Sequence, residues 1–486
     1  MGCGSRDAGG GSLSSGRRVI VIGGGLAGIV VALDCAAAGA EVTLLEVRRR
    51  LGGAAYSFER EGLQMDNGQH VFLRCCAAYR GLLARLGSEQ LTTLQPRLEI
   101  PVLKPDSEPA LLRRGSLPAP AHLAGALASY PHLSLLQRLG AVRAALGLMR
   151  LDPADPELDQ VSFGDWLARH GQGPQAVGAL WDLIALPTIN LPAAQASLAL
   201  AAFVFQRGLL SGANAGDIGF HHATLGETVG EPAERALREA GVQVRLGWRA
   251  EQVQCSGAGL EVQCRGARSE GVSEADELRA EAAVVALPHA RAATLLEPLL
   301  GDAARAWNGL GSSAIVNLHV VYDRPVLDQP FAAGVGTPVQ YLFDRSAAAG
   351  APAGCQYLAV SLSGAEREMK MSVDDLRKRY LPALEKLLPR ARQAKVELFL
   401  ATREHAATFR AAPGTAALRP GPRSAIPGLV LAGAWTATGW PATLEGAVLS
   451  GHAAAHCTLA GLDLDGPIVE AGAGSAAGGS ESALAR

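Results

Sequence analysis

The stretch RRVIVIGGGLAGIVVALDCAAAGAEVTLLE, residues 17 to 46, constrains this chain more than any other. Two basic residues lead into the apolar run Val19 to Ile22. Three glycines follow, then a helix-patterned segment to Ala38 and a second apolar run, Val42 to Leu45, ending at Glu46. Strand, helix and strand in so short a space predict a βαβ unit. Gly23, Gly25 and Gly28 form G-x-G-x-x-G between the first strand and the helix. There the backbone must turn tightly, and a pyrophosphate must reach the helix start, Leu26, Ala27 and Gly28, with no Cβ in the way. A carboxylate at Glu46 accepts hydrogen bonds from both hydroxyls of a ribose and repels a 2′-phosphate, which favours NAD or FAD over NADP.

After Glu46 come Arg48, Arg50, Gly52 and Gly53, the pattern E-x-R-x-R-x-G-G. It resembles the second fingerprint of the FAD-dependent amine oxidase and carotenoid desaturase superfamily. The resemblance implies FAD, with the glycine pair and the adjoining Ala54 against its ribityl and pyrophosphate portion. That superfamily usually has Arg or Lys where Ala54 stands, so Arg48 and Arg50 are candidates for the missing charge; the alternative is a solvated loop.

Composition narrows the setting. At 486 residues the chain is long enough for two sizeable cores, and 48% hydrophobic with 19% charged residues describes a well-buried globular protein. A net charge of −2 argues against a nucleic-acid surface. The cysteines at 3, 35, 75, 76, 255, 264, 355 and 457 contain no C-x-x-C pair and no zinc spacing, which fits a reduced cytoplasmic setting. Adjacent His221 and His222 point to opposite faces of a strand, so no metal site is expected. No apolar run is long enough to span a bilayer. The Gly/Ser-rich residues 1–16 and the tail 463–486 read as disordered.

Along the chain, alternation around Leu63, Met65, Val71 and Leu73 predicts short strands joined through the turn Asp66-Asn67-Gly68. Residues 97–225 read as helical. Within them, His122 to Leu151 carries many leucines with Arg138, Arg143 and Arg150; it reads as a helical subdomain core, a membrane-surface segment or the wall of an apolar tunnel. A helix over Pro232 to Ala240, strands over Val242 to Leu246 and Ala250 to Val253, and the buried run Ala282 to Leu287 follow. Ser312 to Tyr322 and Val339 to Phe343 read as strands, and Asp374 to Leu388 as a helix. Gly428 to Gly433 is a further strand, and a helix opens near Thr443.

This order is similar to the same superfamily throughout. The resemblance implies an α/β fold: a discontinuous Rossmann-like FAD-binding domain (17–96, 226–300, 416–462) with an inserted α+β substrate domain (97–225, 301–415). It brings Gly68, Gln69 and His70 past the flavin ring, the backbone near Val253 to the adenine, and Gly433 and Trp435 to the ribityl-phosphate, where Ala434 replaces a customary Asp. It also aims the helix start Thr443, Leu444, Glu445 and Ala447 at the flavin's pyrimidine end, where the positive end of the dipole favours negative charge.

Asp66 to His70, D-N-G-Q-H, together with Phe163 to Leu167, the Gln340-Tyr341-Leu342-Phe343 strand and Pro441 to Ala447, resembles the squalene-associated branch, the hydroxysqualene dehydroxylases. That implies an apolar isoprenoid substrate, an electron donor that remains unassigned, and reductive dehydroxylation of hydroxysqualene to squalene. Candidate catalytic residues are His70 or Asp66 as proton handler and Trp440 as an aromatic wall for developing cationic charge. A hydrogen-bonded core histidine and a packed tryptophan are the alternatives at His70 and Trp440. Rival functions are a phytoene-type desaturase, a flavin amine oxidase and a non-catalytic flavin- and lipid-binding protein. An insoluble substrate also suggests peripheral contact with a membrane.

Overall fold

The computed structural model describes residues 17–257, 259–267 and 273–465. The segment 1–16 and the tail beyond 465 lie outside the described residues, so the disorder expected of them is not addressed. At the centre is a five-stranded parallel sheet in the order Gln243–Leu246, Glu41–Glu46, Arg18–Ile22, Ala282–Val285, Leu429–Leu431. Its middle strand is apolar at consecutive positions because both faces are covered. Three distant stretches of chain therefore meet in one sheet. Helices Leu26–Ala37 and Leu444–Gly461 pack together beside it, at a spacing that needs Gly451, where a Cβ would lie 2.7 Å from the Ala27 carbonyl oxygen.

The second large element is a seven-stranded sheet: Val396–Phe409, Ser312–Tyr322, Gln356–Ser363, Tyr341–Asp344, Phe331–Gly334, Glu99–Leu103, Ala110–Arg113. Helix Val373–Leu387 lays Leu376, Tyr380 and Leu384 onto Val316, Leu318 and Val320 of this sheet. The last two strands in this order, at one edge of the sheet, correct the expectation that residues 97–225 are helical. Glu99–Leu103 is short and carries Pro101, which hides its alternation, yet it buries Ile100 and Val102 and pairs in parallel with Phe331–Gly334. Helices do take over afterwards. Ser162 caps Phe163–Arg169 by accepting from the Asp165 N–H, and Asp182–Ile189 ends at Asn190 in a left-handed conformation, φ 59°.

A second correction concerns residues 63–73. Leu63–Asp66 pairs back on Ser57–Arg60, whereas Val71–Leu73 pairs with Ile218–His221, so Asp66-Asn67-Gly68 passes between two sheets and is not a hairpin turn. The partner of Val71–Leu73 lies far along the chain, beyond the reach of a local pattern. Among the described residues no helix is long and apolar enough to cross a membrane.

Candidate functional site

The glycine motif builds a cradle from backbone. Gly23 (φ 113°) donates to the Leu45 carbonyl at 2.8 Å, which ties the turn to the tip of the neighbouring strand. A Cβ on Gly28 would lie 1.9 Å from the Gly23 oxygen, and one on Gly53 2.8 Å from the Gly25 Cα. Glycine pair and glycine motif thus touch backbone to backbone, joined also by Gly52 N–H donating to Gly24 O at 2.9 Å. Helix Leu26–Ala37 begins at Gly25 with no side-chain cap. Its first N–H groups are left for a ligand.

Glu46 is buried at the strand tip and accepts from the Gly24 and Arg48 N–H groups, each at 2.7 Å. Those two bonds hold the carboxylate and leave lone pairs for hydroxyl donors. Arg48 contributes its backbone while its side chain is exposed. The cation at the glycine pair is Arg50, which donates to the Gly53 carbonyl at 3.2 Å and stacks 3.5 Å over the Tyr56 ring. Ala54 is exposed and offers its carbonyl to Asn67.

The loop Asp66 to His70 is pinned from both sides. Asn67 donates to Ala54 O and to Glu404 Oε1 at 3.1 Å, and its own carbonyl accepts from Asn317 at 2.7 Å. Tyr56 also donates to Glu404. Asp66 is not available as a proton handler: Oδ2 sits 2.8 Å from Arg345, and Oδ1 accepts from Ser57 Oγ and the Leu225 N–H. It braces the loop, and Arg345 extends the brace to the His221 and Ala223 carbonyls.

His70 is half-buried, with Nδ1 3.1 Å from the Gly68 carbonyl. A carbonyl only accepts, so Nδ1 carries the hydrogen and Nε2 keeps a lone pair in the neutral ring. Burial lowers the His70 pKa below its ordinary value. Next to it, His221 Nδ1 meets the His70 carbonyl at 3.0 Å and Nε2 meets the Tyr79 hydroxyl at 2.8 Å; burial pushes the His221 pKa down to about 3. Gln69 Nε2 and Asn317 Oδ1 are both buried without a hydrogen-bond partner among the described residues. Gly68 is buried between His70 and Asn317.

The third segment departs from the sequence reading at two side chains. Trp435 is buried against Trp307, its Nε1 committed to the Leu287 carbonyl, so only its backbone is left for a cofactor. Glu445 turns its carboxylate away from the start of its own helix to accept from the Ala78 and Tyr79 N–H groups, capping helix Ala77–Arg85; burial raises its pKa. Thr443 caps helix Leu444–Gly461 by accepting from the Gly446 N–H, and the Ala447 N–H is spent on the Thr443 carbonyl. Gly433 (φ 133°) donates to Ser450 at 2.8 Å. Leu444 and Trp440 are half-buried, and Trp440 packs edge-on to Phe203 at 5.1 Å. Val253 lies inside the antiparallel strand Trp248–Ser256, its side chain in the core.

Sequence reasoning missed Arg419. Its buried guanidinium donates to the carbonyls of Ala434, Trp435, Thr436 and Trp440, and burial pushes its pKa down to about 10. It gathers the loop that carries Trp440 from inside. Tyr56, Asn317, Arg345 and Glu404 were missed as well, each being isolated in the sequence and meaningful only through its partner. A cavity of ≈ 530 Å³ lies apart from the glycine cradle, lined by His132, Gln175, Leu183, Gln340 and Tyr341 among others.

The uncapped helix, the glycine cradle and the partnerless Gln69 and Asn317 atoms fit a bound dinucleotide. The model of a protein family described as flavin containing amine oxidoreductase matches residues 26–459. The chain is 29% identical over 452 residues to hydroxysqualene dehydroxylase of Rhodopseudomonas palustris, covering 91% of this chain and 99% of that one. It is 27% identical to hydroxysqualene dehydroxylase of Sinorhizobium fredii, covering 91% and 98%. Among solved structures, cyclohexylamine oxidase from Brevibacterium oxydans superposes with a TM-score of 0.69 at 18% identity, covering 92% of this chain and 100% of that one, a likeness of fold.

Proposed function

Because the chain belongs to the flavin-containing amine oxidoreductase family and is an FAD-dependent oxidoreductase, we propose that it acts on an isoprenoid lipid and replaces the hydroxyl of hydroxysqualene by hydrogen, giving squalene. The observation that carries this reading is the end-to-end match to hydroxysqualene dehydroxylases. The conversion takes up two electrons and two protons and releases water.

In this reading Gly23, Gly25, Gly28 and the helix start hold the pyrophosphate, Glu46 the ribose, and Arg50 with Gly52 and Gly53 the adjoining portion of FAD. Gln69 Nε2 and Asn317 Oδ1 give it a donor and an acceptor. Close approach along Gly433, whose N–H is held by Ser450, and the N–H groups at the helix start Leu444 complete its binding. Bound FAD supplies the two-electron exchange.

His70 handles the proton. In the neutral ring Nε2 accepts a hydrogen bond from the substrate hydroxyl; in the ring protonated from solvent, Nε2 gives its proton to the hydroxyl oxygen as the C–O bond breaks, so that the group leaves as water. Because burial lowers its pKa, the acidic form is scarce at neutral pH and grows as pH falls. Turnover is therefore expected to rise as pH is lowered from about 8 toward about 6. His70→Ala should cut turnover roughly 100-fold and flatten that arm while FAD content stays normal; unchanged turnover removes His70 from the mechanism. Trp440, backed by Phe203, presents a π-face to developing positive charge without a nucleophile.

The deciding experiment is anaerobic incubation of chemically reduced protein with hydroxysqualene, following flavin absorbance and extracting the lipid. Reoxidation with stoichiometric squalene is the expected result. A flavin that stays reduced, with the alcohol recovered intact, overturns the reading and directs attention to desaturation by the oxidised enzyme.

A further inference from the structure

Helix Leu135–Leu148 is built inside out. Its inward face is small, Ala141 and Ala144 with Leu148, while Leu135 (69% exposed), Leu136 (80%), Leu139 (59%), Val142, Leu146 and Met149 at its end all face solvent. A helix that only covered a core would bury the leucines and expose the alanines. At about 100° per residue, Leu135, Leu139, Val142, Leu146 and Met149 fall in one stripe, with Arg138 on one flank and Arg143 and Arg150 on the other. The helix is also firmly made: Ser134 and Gln137 form a reciprocal capping box at its start.

Charge identifies what covers this face. From Pro109 to Leu151 the chain has five arginines and no Asp, Glu or Lys. Arg113 and Arg114 are spent on Glu99 and Asp217, but Arg138 donates to backbone carbonyls of Leu133 and Ala128 and forms no ion pair among the described residues. Arg143 and Arg150 are exposed. The acidic residues resume at Asp152, beyond the helix. An apolar stripe flanked by cations whose stems snorkel beside it is complementary to a bilayer with anionic headgroups, which receives the leucines and pairs with the guanidinium groups. A second copy of the same face would instead bring arginine against arginine.

The helix start is tied to the rim of the ≈ 530 Å³ cavity. Gln137 donates to Gln175 at 3.2 Å, Gln175 donates to the His132 carbonyl, and Gln175 and His132 both line the cavity. We propose that the outer face of helix Leu135–Leu148 docks on an anionic lipid bilayer and holds the rim of this cavity at the lipid surface. As a route for an insoluble substrate it rests on the isoprenoid-lipid reading above, whereas the docking itself is read independently of turnover.

The test is co-sedimentation of the FAD-loaded protein with vesicles of equal parts phosphatidylcholine and phosphatidylglycerol, and with vesicles of phosphatidylcholine alone. The expected result is pelleting with the anionic vesicles, weakened by salt, and a loss of roughly tenfold or more in binding for the double variant Leu136→Glu, Leu139→Glu. Both positions are exposed, so flavin absorbance and melting temperature should not change; Arg143→Glu, which leaves the stripe intact, should weaken binding to a lesser degree. Turnover of hydroxysqualene dispersed in detergent should survive the double variant, and turnover of hydroxysqualene embedded in vesicles should fall. Wild-type protein that stays in the supernatant, or variants that pellet as it does, overturn the docking. So does a wild-type dimer that the double variant dissociates without any binding to vesicles. Normal docking with no squalene formed in either format leaves the surface standing and sinks the dehydroxylase reading alone.

Discussion

Two helices of this protein, Leu26–Ala37 and Leu135–Leu148, are both strongly apolar and differ in almost everything else. The first is buried nearly throughout and starts at a glycine that caps nothing. The second exposes its largest side chains and starts at a complete capping box. Apolar content alone therefore does not say where a helix lies. An open N-terminus on a buried helix is a place kept for a ligand, because four N–H groups without partners would otherwise destabilise it. A closed N-terminus under an exposed apolar face makes the reverse arrangement: the helix is complete in itself and its side chains await a surface.

The contrast can be broken most severely at Gly28. Gly28→Ala puts a Cβ within 1.9 Å of the Gly23 oxygen, which no rotamer relieves. We expect protein without bound flavin and a stability loss of about 3 kcal/mol or more, read by absorbance and thermal melting. Gly25→Ala separates fold from ligand, because its nearest neighbour would be the Gly53 Cα at 3.8 Å. Melting of the flavin-free protein should be unchanged while FAD affinity falls roughly tenfold, about 1.4 kcal/mol; unchanged affinity would mean that the cofactor does not approach this backbone. Ser134→Ala has the smallest effect. Loss of the cap should cost about 1 kcal/mol, visible as faster amide exchange at the start of Leu135–Leu148, with flavin content untouched.

Legibility in the sequence followed separation along the chain. The first βαβ unit was readable because strand, glycine turn, helix and Glu46 are contiguous, and each residue type has a backbone reason to stand where it does. The loop Asp66 to His70 was readable as important and misread in detail. Asp66 has the composition of an acid, but its role is decided by Arg345, which only the fold brings to it. Glu445 was placed at the flavin because it opens a helix, whereas its carboxylate serves the start of a different helix. Arg50 and not Arg48 meets the glycine pair, since one lies against Tyr56 and the other points to solvent. The strands at Glu99–Leu103 and Ala110–Arg113 are too short to show a period; they pair with each other locally, and Glu99–Leu103 joins the large sheet through Phe331–Gly334 far downstream. For Asp66 and Glu445, and for the entry of Glu99–Leu103 into its sheet, the missing information was a partner remote in sequence.

The parallel sheet has a consequence for how the protein is made. A ribosome delivers the glycine cradle among the first residues, yet Ala282–Val285 gains its outer neighbour only when Leu429–Leu431 emerges. The helix that packs on Leu26–Ala37 emerges later still. Nascent chains must therefore carry an unfinished sheet edge through most of their synthesis, a template for wrong pairing that is covered at the end. Expression of this protein should accordingly be most sensitive to elongation rate and chaperone supply over the stretch between Val285 and Leu429, long after the part that looks most like a nucleotide site has been translated.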